Sequence, residues 1–378
     1  MITLNIKKDR EHVDIRFPCS EKVITDALKK IGVNDEIDTK QTVSEVVDFE
    51  CLSLLEGREV DLDEINYLAK RLDSLTKPEV DKFIVVAQME GLDEPKDLIN
   101  LTYNLNRYTL IQNIGDMTAV GRTHTLTREI AIPADDSRDA EYAKTGRELI
   151  ESGKGKWTEK GLLFFNDDIP EETIYNGETF PEFDYDGACI FAVKMSFLNA
   201  REFVYLPCEE TAIKKALARL GVESPSQCDL WMEFDRIDND KLAKLVFDSV
   251  KGEDIYDINE FAKGLEDLTE PEKFLAVVEY AETEDIKEMT AIAKNLDEFE
   301  YAENVDSDYE FGEYLVNNDD EYECSENLRD FINYEELGGQ VRHNCHGMFV
   351  RGGFVYIPSE RQLEDIIDKD MGISFGGM

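Results

Sequence analysis

The apolar and polar positions divide the chain into short strand-like runs and longer helical stripes. Residues 2–6 and 12–17 read as a strand pair, and so do residues 189–198 and 201–206. After the first pair, Val23, Ile24, Ala27, Leu28 and Ile31 share one face at helical spacing, with Ser20 placed as N-cap and Gly32 as the stop. Residues 46–50 and 230–234 read as third strands. Three helices then close the stretch. Asp61 caps the first, with Glu64 as its capping-box partner and Ile65, Leu68, Ala69, Leu72 and Leu75 as its stripe. Pro78 and Pro95 stand where a first helical turn accepts proline. Core packing is a sufficient reason for all of these stripes.

The pattern occurs twice. Phe17-Pro18-Cys19 leads into Ala27-Leu28-Lys29-Lys30-Ile31-Gly32-Val33. Leu206-Pro207-Cys208 leads, 189 residues later, into Ala216-Leu217-Ala218-Arg219-Leu220-Gly221-Val222. Ile65-Asn66, Ala69-Lys70, Leu72, Leu75-Thr76 and Pro78-Glu79 return as Ile258-Asn259, Ala262-Lys263, Leu265, Leu268-Thr269 and Pro271-Glu272 at an offset of 193. Lys82-Phe83, Asn104-Leu105 and Asn113 return as Lys273-Phe274, Asn295-Leu296 and Asn304 at 191. Offset changes of this size belong in loops. The expectation is an α+β fold, an elongated chain of small mixed sheet-plus-helix modules with an internal duplication. Residues 1–115 form the first repeat and 189–306 the second. Between them, 116–188 reads as an insert rich in Gly, Asp and Thr, with a short helical stretch near 141–152. Residues 307–378 read as a different module. In it Met348-Phe349-Val350, a Gly352-Gly353 turn and Phe354-Val355-Tyr356-Ile357 make a hairpin, and Ser359 caps a last helix through Leu363, Ile366 and Ile367.

Charge adds a functional constraint. The 84 acidic residues outnumber the 41 basic ones, for a net charge of −43. A nucleic-acid binder needs a basic footprint, and no run of Lys or Arg exceeds two residues. An acidic membrane surface would repel the chain as well, so basic proteins and cations are the natural partners. Solvation is the plain reading of such acidity, and 42% hydrophobic with 10% aromatic residues argues against disorder. The excess is uneven: residues 251–350 hold 29 acidic and 7 basic side chains, a net of −22. At the axial charge density of DNA, 43 charges would extend over about 73 Å.

Catalytic signals are thin. Only His12, His124, His343 and His346 are available for histidine chemistry. His343-Asn344-Cys345-His346, with Cys324 upstream, is the one compact ligand-like cluster, and it lacks the paired spacing of a zinc site. Asp306-Ser307-Asp308-Tyr309-Glu310 opens like a calcium loop but has Phe311 where the sixth-position glycine is needed. Ser152-Gly153-Lys154-Gly155-Lys156 lacks phosphate-loop spacing. The expectation is a non-enzymatic protein with no cofactor and no metal. The seven cysteines are expected as reduced thiols, and without an apolar leader or span the protein is expected in the cytoplasm.

One stretch carries a resemblance. Phe311-Gly312-Glu313-Tyr314-Leu315-Val316, Glu326-Asn327-Leu328, Phe331-Ile332-Asn333-Tyr334-Glu335-Glu336-Leu337-Gly338 and Gly347-Met348-Phe349 resemble the C-terminal region of the ArdA antirestriction family. Asp63-Glu64-Ile65-Asn66-Tyr67-Leu68-Ala69 and Asp257-Ile258-Asn259-Glu260-Phe261-Ala262 resemble its middle region. The resemblance implies an acidic mimic of bent B-form DNA that occupies the DNA groove of type I restriction-modification enzymes, with a homodimer as one form. The chain departs from the family in length and in carrying two strand-helix units. The acidic array expected to meet the partner is Glu298, Glu300, Asp306, Asp308, Glu310, Glu313, Asp319, Asp320, Glu321, Glu323, Glu326, Asp330, Glu335 and Glu336. Inhibition of another nucleic-acid-dependent defence complex, such as a CRISPR effector, is a second reading. A metal-binding protein or metal-dependent enzyme is a third.

Overall fold

The computed structural model describes residues 1–129, 132, 136–185, 187, 189–233, 237–322, 324–358 and 361–370. The chain divides into two units. The first comprises Met1–Gly187 with Ser196–Phe203 and Glu209–Glu223; the second comprises Ala188–Met195, Val204–Cys208 and Ser224–Met378.

In the first unit, β1 (Ile2–Lys8) and β2 (Glu11–Phe17) pair antiparallel in the register Ile2↔Phe17 to Lys8↔Glu11. Alternation buries Ile2, Leu4, Ile6, Ile15 and Phe17 on one face. That face receives α1 (Glu21–Lys30) through Ile24, Ala27 and Leu28. The apolar face of α1 is narrower than expected, because Val23 is exposed, and Ser20 occupies the N-cap without a side-chain hydrogen bond.

The third strand, β3 (Lys40–Val46), lies earlier than the expected residues 46–50. Val47 is exposed and Phe49 has a left-handed backbone, which ends the strand. The short β4 (Glu59–Asp61) covers the outer edge of β3, giving the sheet order β2-β1-β3-β4. Three helices follow: α2 (Leu62–Asp73), α3 (Lys77–Glu90) and α4 (Pro95–Tyr103). Asp61 caps α2 by accepting from the Asp63 amide. Glu64 does not close a capping box; it meets the Tyr175 hydroxyl, and burial pushes its carboxyl up.

The segment expected as an insert continues the fold. After α4 come β5 (Tyr108–Ile111), α5 (Met117–Arg128), α6 (Asp139–Glu151), β6 (Lys156–Thr158) and β7 (Gly161–Phe165), with sheet order β5-β7-β6. α6 answers the helical stretch expected near 141–152; composition concealed the other elements, since Thr and Gly depress helix propensity while tertiary packing overrides it. Beyond β7 an irregular strap lies on α4. Asn104 accepts from the Glu172 amide and donates to the Glu172 carbonyl, at 2.9 and 2.8 Å. Asn100 accepts from the amides of Ile174 and Tyr175.

The element order then recurs. β8 (Phe191–Phe197), β9 (Ala200–Leu206), α7 (Glu210–Leu220) and β10 (Asp229–Glu233) come first, with sheet order β10-β8-β9. α8 (Asp240–Ser249) is an addition without a helical counterpart of its length in the first repeat. α9 (Ile255–Glu266), α10 (Pro271–Ala281) and α11 (Ile286–Lys294) repeat the three-helix set. β11 (Glu300–Glu303), α12 (Asp308–Asn318), α13 (Tyr334–Cys345), β12 (Met348–Val350) and β13 (Gly353–Tyr356) complete a sheet of order β11-β13-β12. α14 (Leu363–Asp370) follows and buries Ile366 and Ile367; the expected cap, Ser359, lies outside the described residues.

Details confirm that the likeness extends beyond element order. Asn66 accepts from the Cys19 amide and donates to the Cys19 carbonyl, at 3.0 and 2.9 Å. Asn259 does the same to Cys208, at 2.8 and 2.9 Å. Both preceding Xaa-Pro bonds, Phe17-Pro18 and Leu206-Pro207, are cis. Val120, Leu162 and Phe164 form one small core; Phe311, Phe354 and Tyr356 stand at the matching places in another. The duplication therefore runs through the whole of each repeat, including residues 108–165 and 300–356.

The α12–α13 crossing depends on two glycines. A Cβ at Gly312 would overlap the Tyr334 carbonyl, and one at Gly338 the Asp308 carbonyl. Gly121 and Gly146 make the same crossing between α5 and α6. In an open helix Gly→Ala would stabilise by about 1 kcal/mol. Gly312→Ala is expected to do the opposite and destabilise by about 1–3 kcal/mol, because the overlap forces the helices apart. A lowered urea midpoint checks this, and an unchanged or raised midpoint refutes it.

A buried ionic group lies within the first unit. Lys215, on α7, is 2% exposed and donates to Glu21 at 2.6 Å and Asp63 at 2.7 Å. Arg219, one turn on, reaches Asp63 at 3.4 Å and grips the buried Glu202 at 2.9 and 3.1 Å. Its guanidinium also stacks over Phe180. Burial pushes the Asp63 carboxyl up to about 6, against the pull of Lys215. Lys215 is itself raised: the two carboxylates outweigh the cost of its burial.

Candidate partner-binding surface

The expected acidic residues gather on β11, α12, the turn residues after it and α13. Helix geometry puts Glu313 on the face opposite the buried Phe311, Leu315 and Val316. Glu300, Asp306, Glu313, Glu321, Glu326, Asp330, Glu335 and Glu336 are exposed. Carboxylates in this condition can meet a basic partner without first being uncovered.

Several members of the array, Asp306 and Glu336 among the exposed ones, also have contacts within the protein. Arg342 holds Asp308 in a two-pronged pair at 2.7 and 3.1 Å, which lowers its carboxyl below the usual range. That pair ties α13 to the N-terminus of α12. Glu298 is paired with Arg361. Glu310 accepts from the Asp306 amide at 2.8 Å and is lowered by it, while the facing Glu310 carboxylate raises Asp306. Asp319 accepts from the Glu321 amide at 2.9 Å, and Glu336 from the Asn333 side chain at 3.0 Å. The side chain of Asp320, and Glu323, lie outside the described residues.

Further exposed carboxylates were not singled out by the sequence reading. Glu266, Asp267 and Glu270 lie around the α9–α10 connection, and Glu282, Glu284 and Asp285 around the α10–α11 connection. Only the regional charge of residues 251–350 signalled them. Several neighbours are locally neutralised instead: Glu260 by Lys263 and Lys294, at 2.6 and 3.2 Å, and Asp257 by Lys287 at 3.2 Å.

The two repeats diverge in charge where they agree in fold. Residues 117–165 contain 8 acidic and 8 basic side chains; residues 308–356 contain 11 and 3, for a net of −8. α5 presents Arg122 and Arg128 where α12 presents Asp308, Glu310 and Glu313. The acidic character thus belongs to the second copy of this module and is not a requirement of the fold.

Residues 201–356 match the family model described as antirestriction protein (ArdA). The chain is ArdA-like over this stretch. The ArdA-like region takes in β9 through β13, and so contains every member of the expected array. The match supports an antirestriction function. Searches of curated proteins and of solved structures return no match.

Among the described residues, no three His, Cys, Asp or Glu side chains are placed to hold a metal ion. His343 and Cys345 belong to α13, and His346 ends that helix in a left-handed conformation. The cysteines are free thiols, and burial raises Cys19, Cys51, Cys189, Cys228 and Cys345. Thiols held up in this way are poor nucleophiles at neutral pH. No described helix is long and apolar enough to cross a membrane.

Proposed function

We propose that this protein is an antirestriction inhibitor whose surface carboxylates substitute for DNA phosphates in the groove of a type I restriction-modification methyltransferase core. The observation that carries the reading is the coincidence of the ArdA-like region with the exposed acidic residues of the second unit. A groove that holds DNA is lined with Lys and Arg, and an array of carboxylates can displace the same counterions as phosphates do. No bond is made or broken, so no catalytic group or cofactor is required. Steering by a net charge of −43 makes encounter fast and dependent on ionic strength.

The test is binding of the purified protein to a type I methyltransferase core, followed with and without competing duplex DNA. DNA is expected to displace the protein, and affinity to fall about tenfold or more between 50 and 200 mM salt. Binding that ignores both DNA and salt would remove the mimicry. A match to a different defence nuclease under the same two criteria would move the target and keep the mechanism.

A further inference from the structure

The two copies of the N-terminal sheet differ at one edge. In the first, β4 lies along β3 in the register Lys40↔Asp61, Gln41↔Val60 and Thr42↔Glu59, so the sheet has four strands. In the second, β10 takes the place of β3 beside the central strand, and among the described residues the sheet ends there. The segment corresponding to β4 is Gly252-Glu253-Asp254. Asp254 caps α9 as Asp61 caps α2, but these residues do not form a strand on β10. Between them and β10 is a groove of about 640 Å³, lined by Asp229–Met232, Phe247 and Val250–Asp254. Trp231 and Phe247 are 64% and 48% exposed there.

We infer that this open edge of β10 is a docking site for an extended, basic segment of a partner protein, which adds to the sheet as its fourth strand. An edge strand presents backbone donors and acceptors that another strand can satisfy. The five residues of β10 offer about 17 Å of edge. The first copy displays the completed form, including one oppositely charged cross-strand pair, Lys40 with Asp61. Here the ends of the strand are Asp229 and Glu233, and Glu253 and Asp254 stand across the groove; among the described residues these four carboxylates outnumber the nearby cations Lys251, which pairs with Asp248, and Lys194, which lies over Trp231. Asp229, Trp231 and Glu233 share one face of β10, so the complementary strand carries Lys or Arg opposite Asp229 and Glu233 and an apolar residue opposite Trp231. A second copy of this chain fits poorly. Antiparallel pairing of two β10 strands centred on Trp231 sets Asp229 against Glu233, between chains that each carry −43. The inference stands on the sheet edge and does not depend on the antirestriction reading.

The test uses the full chain with Trp157→Phe, which leaves Trp231 as its one tryptophan, and the peptide acetyl-Thr-Lys-Val-Val-Val-Lys-Thr-amide, whose two Lys and central Val fall on one face. Saturable binding with a blue shift of Trp231 emission is expected. Two altered peptides, one N-methylated at alternate amides and one with Glu for Lys, are expected to bind at least tenfold more weakly. Asp229→Lys with Glu233→Lys is expected to reverse the preference between the basic and acidic peptides. Glu313→Gln with Asp330→Asn, in the array, is expected to leave peptide binding unchanged. The inference is overturned if the N-methylated peptide binds as well as its parent, which is adsorption by charge alone. It is also overturned if Trp231 does not respond, if the array variant loses the peptide, or if the emission shifts with protein concentration in the absence of peptide.

Discussion

Lys215→Met is expected to destabilise the first unit by about 3–5 kcal/mol, the cost of breaking a buried ionic group by removing one partner. Lys215 is almost wholly enclosed and is the shared donor to Glu21 and Asp63, so its removal leaves two carboxylates facing each other with only Arg219 in reach of Asp63. Methionine retains most of the volume, so the loss is electrostatic and does not arise from a cavity. Urea unfolding measures it, and a cost below about 1 kcal/mol would mean that water enters and screens the site. Adding Glu21→Gln and Asp63→Asn is expected to recover most of the loss, because no buried charge is then left without a partner: Arg219 keeps its pair with Glu202.

The sign of the pH dependence follows from Asp63. Its folded carboxyl, at about 6, lies above its unfolded value of 3.8. The folded state therefore holds the proton more tightly, and stability falls as pH rises from about 4 through 6. Without Lys215 the folded value rises further. The deficit of Lys215→Met is expected to be small near pH 4 and to grow toward neutrality.

The paired strands, the α2–α4 set and the cap at Asp61 were legible in the sequence because each rests on local spacing. The full extent of the duplication was not. Gly121 and Gly146 correspond to Gly312 and Gly338, yet their function is a close helix crossing that periodicity does not register. The core residues Val120 and Leu162 are answered by the larger Phe311 and Phe354, which preserves the packing and erases the identity. The ionic group was hidden for another reason. Lys215 and Arg219 sit on an apolar helix, where they read as solvated charges, and their partners Glu21, Asp63 and Glu202 come from distant segments. In the acidic array, regional charge could not separate exposed carboxylates from those with structural duties. Asp308 shows the difference, since its charge serves Arg342 and the helix crossing.

That separation makes the array testable apart from bulk charge. Neutralising four exposed members with Asp306→Asn, Glu313→Gln, Glu326→Gln and Asp330→Asn is expected to weaken inhibition of the restriction enzyme by about 1–4 kcal/mol, with about 0.2–1 kcal/mol for each exposed pair lost. At about 1.4 kcal/mol per tenfold, the centre of that range is a loss of several tens of fold. Most of it should appear in the association rate and as a shallower salt dependence, since solvated charges steer encounter more than they hold a complex. The control is Glu11→Gln, Glu148→Gln, Glu151→Gln and Glu159→Gln, all exposed and all in the first unit. It lowers the net negative charge by the same four but keeps every carboxylate of the ArdA-like region. If placement in the ArdA-like region matters, the control loses less than about threefold. Equal losses would show that acidity acts only in bulk, and the contact surface would then have to be sought outside α12 and α13.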